Sequence, residues 1–372
     1  MGVPMRAVGE RRTSRHMLSV LATIGLVGAM LGILAPAAAA VANTCWARNV
    51  TQGTPSGSDL QAVITAASPD DRIAVKFVCV GNFTIDKNLT LVGRRTPEVL
   101  RPILNANGAG RVLVVSARVK LTYLTITGGD VAHSGGGIRN TITGILTLTS
   151  TVLSVNSAAG GGGGIYNRNG TVNLKDTVVS GNTAAYGGGI YDHSGTLTLR
   201  GTSSVNGNTA AGGGGGIFTQ ARSAVTLKGT SSVSVNTAYV GGGIFNESGA
   251  LTLYDSSSVS ANTADRAGGG IANNENGSIT LNDSSSVNGN TSRDDAGGIY
   301  NYSNYGTINL NDSSSVTGNT ADSDNDAFGI AGGIFVGCTG TLTGAVDGDN
   351  VNDNYLGTAS PVEDNIFYSP CG

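Results

Sequence analysis

Along most of this chain, apolar residues alternate with small polar ones in short bursts, and the bursts recur. The segment GALTL at 249–253 places Leu251 and Leu253 on one side of an extended backbone and Ala250 and Thr252 on the other. The next unit repeats the arrangement, with Ile279 and Leu281 set against Ser278 and Thr280. Period-2 alternation of this kind predicts half-buried strands. The repeats offer no run with the 3.6-residue apolar period of a helix.

The repeat is indexed by the isoleucine that follows the glycines: Ile138, Ile165, Ile190, Ile217, Ile244, Ile271, Ile299 and Ile334, in steps of 27, 25, 27, 27, 27, 28 and 35. A second landmark, the asparagine closing V-x-x-N, keeps pace at Asn182, Asn208, Asn236, Asn262, Asn290 and Asn319, with Asn156 one unit earlier. A fixed period with glycine, serine and asparagine at the corners predicts a chain wound about one axis, each unit burying its Leu, Val and Ile against copies of itself. Leucine-rich repeats need a segment that closes each coil as a helix, which SANTADRAGGG cannot supply. Calcium-binding nonapeptide rolls need G-G-x-G-x-D every nine residues, and that motif does not recur. The expectation is an all-β, single-stranded right-handed parallel β-helix, a solenoid of about ten coils rising roughly 4.8 Å each.

The motifs GGGI at 135–138, 187–190 and 241–244, with VSGN at 179–182 and VNGN at 205–208, carry a resemblance. Over about residues 100–345 the chain resembles right-handed parallel β-helix proteins of the pectate-lyase-like superfamily. More narrowly, it is similar to polymorphic outer-membrane protein adhesins with G-G-[AG]-I and [FV]-x-x-N repeats, with valine here where that family favours phenylalanine. The resemblance implies a fold, and its motifs form coils rather than catalytic sites.

The ends divide the chain into 1–42, 43–110, 111–345 and 346–372. Arg6, Arg11, Arg12 and Arg15 precede an uncharged stretch at 17–42 ending AAAAVA, which reads as a secretory signal cleaved after Ala42 or as a retained anchor long enough to span a bilayer. Arg11-Arg12 is a twin-arginine cue. A secreted or cell-surface location follows, with no membrane attachment once the signal is removed. The cysteines Cys45, Cys79, Cys338 and Cys371 sit at the two ends; pairing across a long rod is impossible, so Cys45–Cys79 and Cys338–Cys371 are expected, each pinning a cap. In SDLQAVITAA, Ser58 and Gln61 have capping-box spacing, and Leu60, Val63, Ile64 and Ala67 share one face. This predicts a helix over the N-terminal mouth, followed by strands in RIAVKFVCV and FTIDKNLTLVG.

Charge refines this picture more than it changes it. Net charge is −3 overall, but residues 43–254 hold 16 Lys and Arg against 9 Asp and Glu, whereas 255–372 hold 2 against 15. No basic cluster interleaved with aromatics supports nucleic-acid binding, and no G-x-x-x-x-G-K, H-E-x-x-H or G-x-S-x-G is present. His133 and His193 receive no role. Asp255, Asp283 and Asp312 occupy one position in successive coils, and Asp322, Asp324 and Asp326 alternate like the start of a calcium loop, although Ala327 stands where such a loop wants glycine. Calcium is therefore the one candidate ion, and no other cofactor is expected.

The binding candidates are the residues following each repeat isoleucine: Tyr166, Tyr191, Phe218, Phe245, Tyr300 and Phe335, with Ala272 in the same series. If isoleucine points inward, these rings point outward as a stripe suited to an extended carbohydrate or a surface protein, or they stack under a lip of glycine loop. The leading expectation is a non-catalytic adhesion or binding rod. The superfamily resemblance implies a polysaccharide lyase or glycoside hydrolase as the alternative. The outward T-x-T columns Thr196/Thr198, Ala224/Thr226, Ala250/Thr252 and Ser278/Thr280 offer a third reading, an ice-binding face.

Overall fold

Four short strands make one coil. In the unit beginning at Ile190 they are Ile190–His193, Thr196–Arg200, Ser204–Asn206 and Thr209–Ala210, and Ile217 opens the next coil. The structure, a computed structural model, describes residues 45–302, 305–321, 330–344, 351–356, 362–363 and 365–370. It is a right-handed parallel β-solenoid of about nine turns, and like strands of successive coils stack into four parallel sheets. We name these by their inward residue: isoleucine, leucine, valine and alanine sheets, in chain order.

The register is the sequence repeat made physical. Ile138 pairs with Ile165, Ile165 with Ile190, and Ile190 with Ile217, while Leu197 lies over Val225 and Val205 over Val233. All of these inward residues are at most 1% exposed and belong to one continuous core. Because alternate side chains of a strand point to opposite faces, a slip of one residue would turn this column into solvent.

A second inward column is polar. Asn156, Asn182, Asn208, Asn236, Asn262, Asn290 and Asn319 are buried. Each Nδ2 donates to the next coil's Oδ1, for example Asn182 to Asn208 at 2.9 Å and Asn236 to Asn262 at 3.0 Å. The same Oδ1 accepts its neighbour's backbone N–H, and the second Nδ2 hydrogen reaches a carbonyl of the preceding coil, as from Asn236 to Val205. Every hydrogen-bonding position of the amide is thereby used, which is what burial demands. The column runs on through Asn354 to Asn365, each again closing a V-x-x-N, at 351–354 and 362–365.

Both ends are closed. The helix Leu60–Ala66 packs against the strands Trp46–Asn49, Arg72–Lys76 and Phe83–Ile85, with Leu60, Ile64 and Ala67 in the core. Its N-cap is Asp59, whose carboxylate accepts the Ala62 N–H at 3.0 Å, and not Ser58. A carboxylate there also meets the positive end of the helix. Gln61, with no capping role, turns to the first coil instead, where its amide accepts the Thr84 N–H and donates to the Thr84 carbonyl, capping a strand edge. Trp46–Asn49 adds an antiparallel strand that the sequence pattern did not reveal, and Val362–Glu363 does the same at the other end. Cys45–Cys79 is formed. Cys338 is disulfide-bonded, and its expected partner Cys371 lies outside the described residues.

Candidate functional site

The isoleucine sheet carries four columns. In Ile190–His193, Ile190 and Asp192 are buried while Tyr191 and His193 are half-buried on the outer face. The outward neighbour of each isoleucine builds the aromatic column: Tyr166 meets Tyr191 at 5.3 Å between ring centroids, Tyr191 meets Phe218 at 4.9 Å, and Phe218 meets Phe245 at 5.1 Å, all edge to face. After Ala272 the column resumes face to face, Tyr300 on Phe335 at 4.9 Å and Phe335 on Phe367 at 5.7 Å. Each such pair adds about 0.5–1.5 kcal/mol to simple burial.

The rings point outward yet are largely covered. The turn that enters each coil forms a lip over them, and a Cβ at Gly161 or Gly213 would collide with the ring of Tyr191 or Phe245. Only glycine permits that approach. Phe218 is consequently 5% and Phe335 7% exposed. The bare stripe expected from alternation alone is therefore a covered ledge, and Tyr302, 63% exposed beside Tyr300, is the freer ring.

A second outward column runs beside the first: Arg168, His193, Gln220, then Glu247 and Asn274, in register. The Tyr191 hydroxyl donates to Gln220 Oε1, and burial beside Tyr166 and Glu247 pushes its pKa up to about 12. Burial, and then the charge of Glu275, raises the Glu247 carboxyl against a lowering contact with Gln220. Arg139 Nε, His193 Nδ1 and Glu247 Oε2 are inaccessible to solvent and lack a hydrogen-bond partner. Along this lane the chemistry passes from guanidinium through imidazole and amide to carboxylate.

Where Ala272 replaces a ring, the face opens into a cleft of about 250 Å³ between Phe245 and Tyr300, rimmed by Arg266, Asn274 and Tyr302. A hollow of about 370 Å³ beyond it shares Asn274 and Tyr302 and reaches Glu275 and Tyr305, so the two form one groove. Burial, with a further contribution from Asp295, pushes the Tyr300 hydroxyl up to about 12 against the opposing charge of Arg266. Asp295 is itself raised, first by burial.

The other sequence candidates fall elsewhere. Asp255, Asp283 and Asp312 do stack, but at left-handed turn positions where each carboxylate accepts a backbone N–H of the coil before, Gly229 at 2.7 Å, Asp255 at 2.9 Å and Asp283 at 3.2 Å. Among the described residues no group of three or more His, Cys, Asp or Glu is arranged to hold a metal. Asp322, Asp324 and Asp326 lie outside the described residues. The threonine columns stand in register on the leucine sheet, interrupted by Ala224 and Ala250. The alanine sheet carries an unbroken column the sequence reading missed, Thr183, Thr209, Thr237, Thr263, Thr291 and Thr320.

Also missed was a second buried polar ladder, two residues after the isoleucine. Asn140 donates to Asn167 at 2.7 Å and Asn167 to Asp192 at 2.5 Å; further on, Thr219 donates to Asn246, Asn246 to Asn273 and Asn273 to Asn301 at 2.7–2.8 Å. The recurring I-x-N was its signal. Between the two halves Asp192 Oδ2 is buried without a partner. No protein family, curated protein or solved structure matches the chain. What the coordinates define is the parallel β-solenoid itself.

Proposed function

We propose that the chain is a non-catalytic binding rod, displayed outside the cell, that takes an extended carbohydrate along the outer face of its isoleucine sheet. The observation that carries this reading is the pairing of two lanes in register, one aromatic and one of Arg168, His193, Gln220, Glu247 and Asn274, which open together into the groove at Tyr302. Ring faces suit the C–H faces of a sugar, and the exposed Arg168 and half-buried Asn274 side chains offer hydrogen bonds to its hydroxyls. The 1–42 segment supports export. The test is a glycan-binding screen of the full chain, repeated with Arg168→Ala, Asn274→Ala and Tyr302→Ala combined. Binding lost at least tenfold in a protein that melts at the wild-type temperature supports the reading, whereas a screen with no bound glycan dismisses it.

One observation favours a second reading, polysaccharide hydrolysis. Glu275 lines the hollow beyond Tyr302 and its charge, after burial, raises the Glu247 carboxyl, and a pair of carboxylates is the means of cleaving glycosidic bonds. Release of reducing ends that disappears in Glu247→Gln would support it; no release from acidic or neutral polysaccharides leaves binding alone.

A further inference from the structure

The strands of the leucine sheet carry charge of one sign only. None of the twelve contains Asp or Glu, and where they end, at the corner towards the valine sheet, Lys175, Arg200 and Lys228 stand exposed in three successive coils. The sign then reverses. In the following three coils that place holds Tyr254, Asn282 and Asn311, and each is followed by an exposed carboxylate, Asp255, Asp283 and Asp312. Each carboxylate is held at the corner by a backbone N–H of the coil before, which leaves it lone pairs to spare. Lys228 is held there too, its Nζ 4.6 Å from the centre of the Tyr254 ring. One carboxylate breaks the series: Asp176, beside Lys175, accepts the backbone N–H and the hydroxyl of Thr202. The sheet's other edge follows the same order, with exposed Arg222 leading into Ala224 and exposed Glu275 leading into Ser278 two coils on.

Three cations followed by three carboxylates, at a coil spacing of roughly 4.8 Å, make an order complementary to its own reverse. Like charges on neighbouring strands repel, so each run gains from the opposite sign across from it. A simple polyanion would suit the basic run and be repelled by the acidic one. The matching partner changes sign along its length at the same spacing, and a second copy of this chain turned end for end does so. We propose that two copies dimerise antiparallel through the outer faces of their leucine sheets, about a two-fold axis crossing between the coils of Lys228 and Asp255. That axis sets Lys228 against Asp255, Arg200 against Asp283 and Lys175 against Asp312 of the other copy, each pair occurring twice. Beside the axis the outward residues on the rest of the face are Ala224, Thr226, Ala250 and Thr252, all small, so the two sheets can approach. The matched stretch is six coils, about 30 Å, long, and a weak, salt-sensitive dimer follows. The isoleucine sheet stays open, and the dimer does not depend on the carbohydrate reading.

Sedimentation velocity of the full chain over a concentration series tests this. A dimer with Kd on the order of 10–100 µM is expected at low salt, weakened at least tenfold in about 0.5 M sodium chloride. Lys175→Glu, Arg200→Glu and Lys228→Glu combined set carboxylates against carboxylates and should weaken it at least tenfold. Asp255→Asn, Asp283→Asn and Asp312→Asn combined keep an acceptor for each backbone N–H in a residue that tolerates positive φ, and should also weaken it. If net charge alone governed association, this second variant, the less acidic protein, would dimerise more tightly than wild type, which overturns the proposal. Mixed in equal amounts, the two triple variants regain one full set of three pairs, so the mixture should associate more tightly than either variant alone. Melting temperatures confirm that each variant is folded, and the salt series on the wild-type chain decides the matter if one is not. The proposal also fails if the chain stays monomeric up to about 500 µM at low salt, or if its dimer withstands both salt and both sets of substitutions.

Discussion

Asp192 stands in a column of amides and is the wrong group there once ionised. It accepts from Asn167 through Oδ1, its Oδ2 meets no donor, and it is 0% exposed. Burial raises its pKa to about 7, against the lowering contacts with Asn167 and then Ser223. A folded-state pKa above the unfolded value means that the folded chain holds a proton the unfolded chain has lost, so stability falls as pH rises from about 4 to about 7 and is level above that. Asp192→Asn removes the dependence. Its advantage in melting temperature should be small near pH 4 and grow to a plateau above pH 7, worth on the order of 4 kcal/mol at most; an advantage independent of pH would show that the carboxyl is not protonated in the fold. Val235 poses a purely steric problem: it is 63% exposed and held at φ 55°, where the coil before places Gly207 and the coil after places Ala261 at φ 52°. A β-branched residue there costs about 1–2 kcal/mol, part of which glycine's greater unfolded freedom offsets. Denaturant melts should therefore find Val235→Gly more stable by about 0.5–1 kcal/mol, and a less stable variant would contradict the strain.

At the scale of the strand, the buried asparagine column does what the leucine and valine columns cannot: it fixes the register with directional bonds. Asn236 accepts both the backbone and side-chain N–H of Asn208, and donates to Val205 and Asn262. Asn236→Ala removes these four hydrogen bonds, leaving Asn262 Oδ1 only the backbone N–H of residue 236, and the cost should be about 3 kcal/mol or more. Ser234→Ala, two residues away on the outer face of the strand Ser232–Ser234 that precedes it, should stay within about 0.5 kcal/mol; equal losses for the two would mean the column is not a buried ladder. These strands were legible because alternation, isoleucine spacing and the asparagine landmark repeat together. The RIAVKFVCV and FTIDKNLTLVG segments fell where expected, as Arg72–Lys76, Val78–Val80, Phe83–Ile85 and Leu89–Gly93. What stayed hidden depends on neighbouring coils rather than on the strand itself. Alternation says that Phe218 points outward, but whether a lip covers it is set by the turn of the preceding coil. The antiparallel end strands follow from the need to close an edge, which no local pattern announces. The cleft beside Tyr302 was visible only as a break in a series at Ala272, and its walls needed the fold.

Across the described residues of the solenoid the chain climbs one axis, so order in sequence becomes order in space, and the charge asymmetry of the sequence becomes a gradient from the basic first coils to the acidic later ones. Each coil touches chiefly the ones before and after it, as the sheet orders show, and stability should then be close to a sum of coil and neighbour terms. That has a direct consequence for deletions. Removing residues 217–243, 27 residues from one repeat isoleucine to the next, joins Gly216 to Ile244 and returns every column to register. Asn208 then meets Asn262, Leu199 meets Leu253, and Asp192 meets Asn246 in place of Thr219. The shortened chain should remain a β-solenoid with a single cooperative transition, melting within a few degrees of the parent. Removing about half as many residues from the same place sets isoleucines against turns and buries serines where valines belong, so it should fail to fold. The comparison needs only circular dichroism and a thermal melt on each. If the half-coil deletion folds as well as the whole-coil one, register is not what holds the solenoid together; if the whole-coil deletion unfolds, some feature of that particular coil, with Phe218 and Asn236 foremost, carries more than its share.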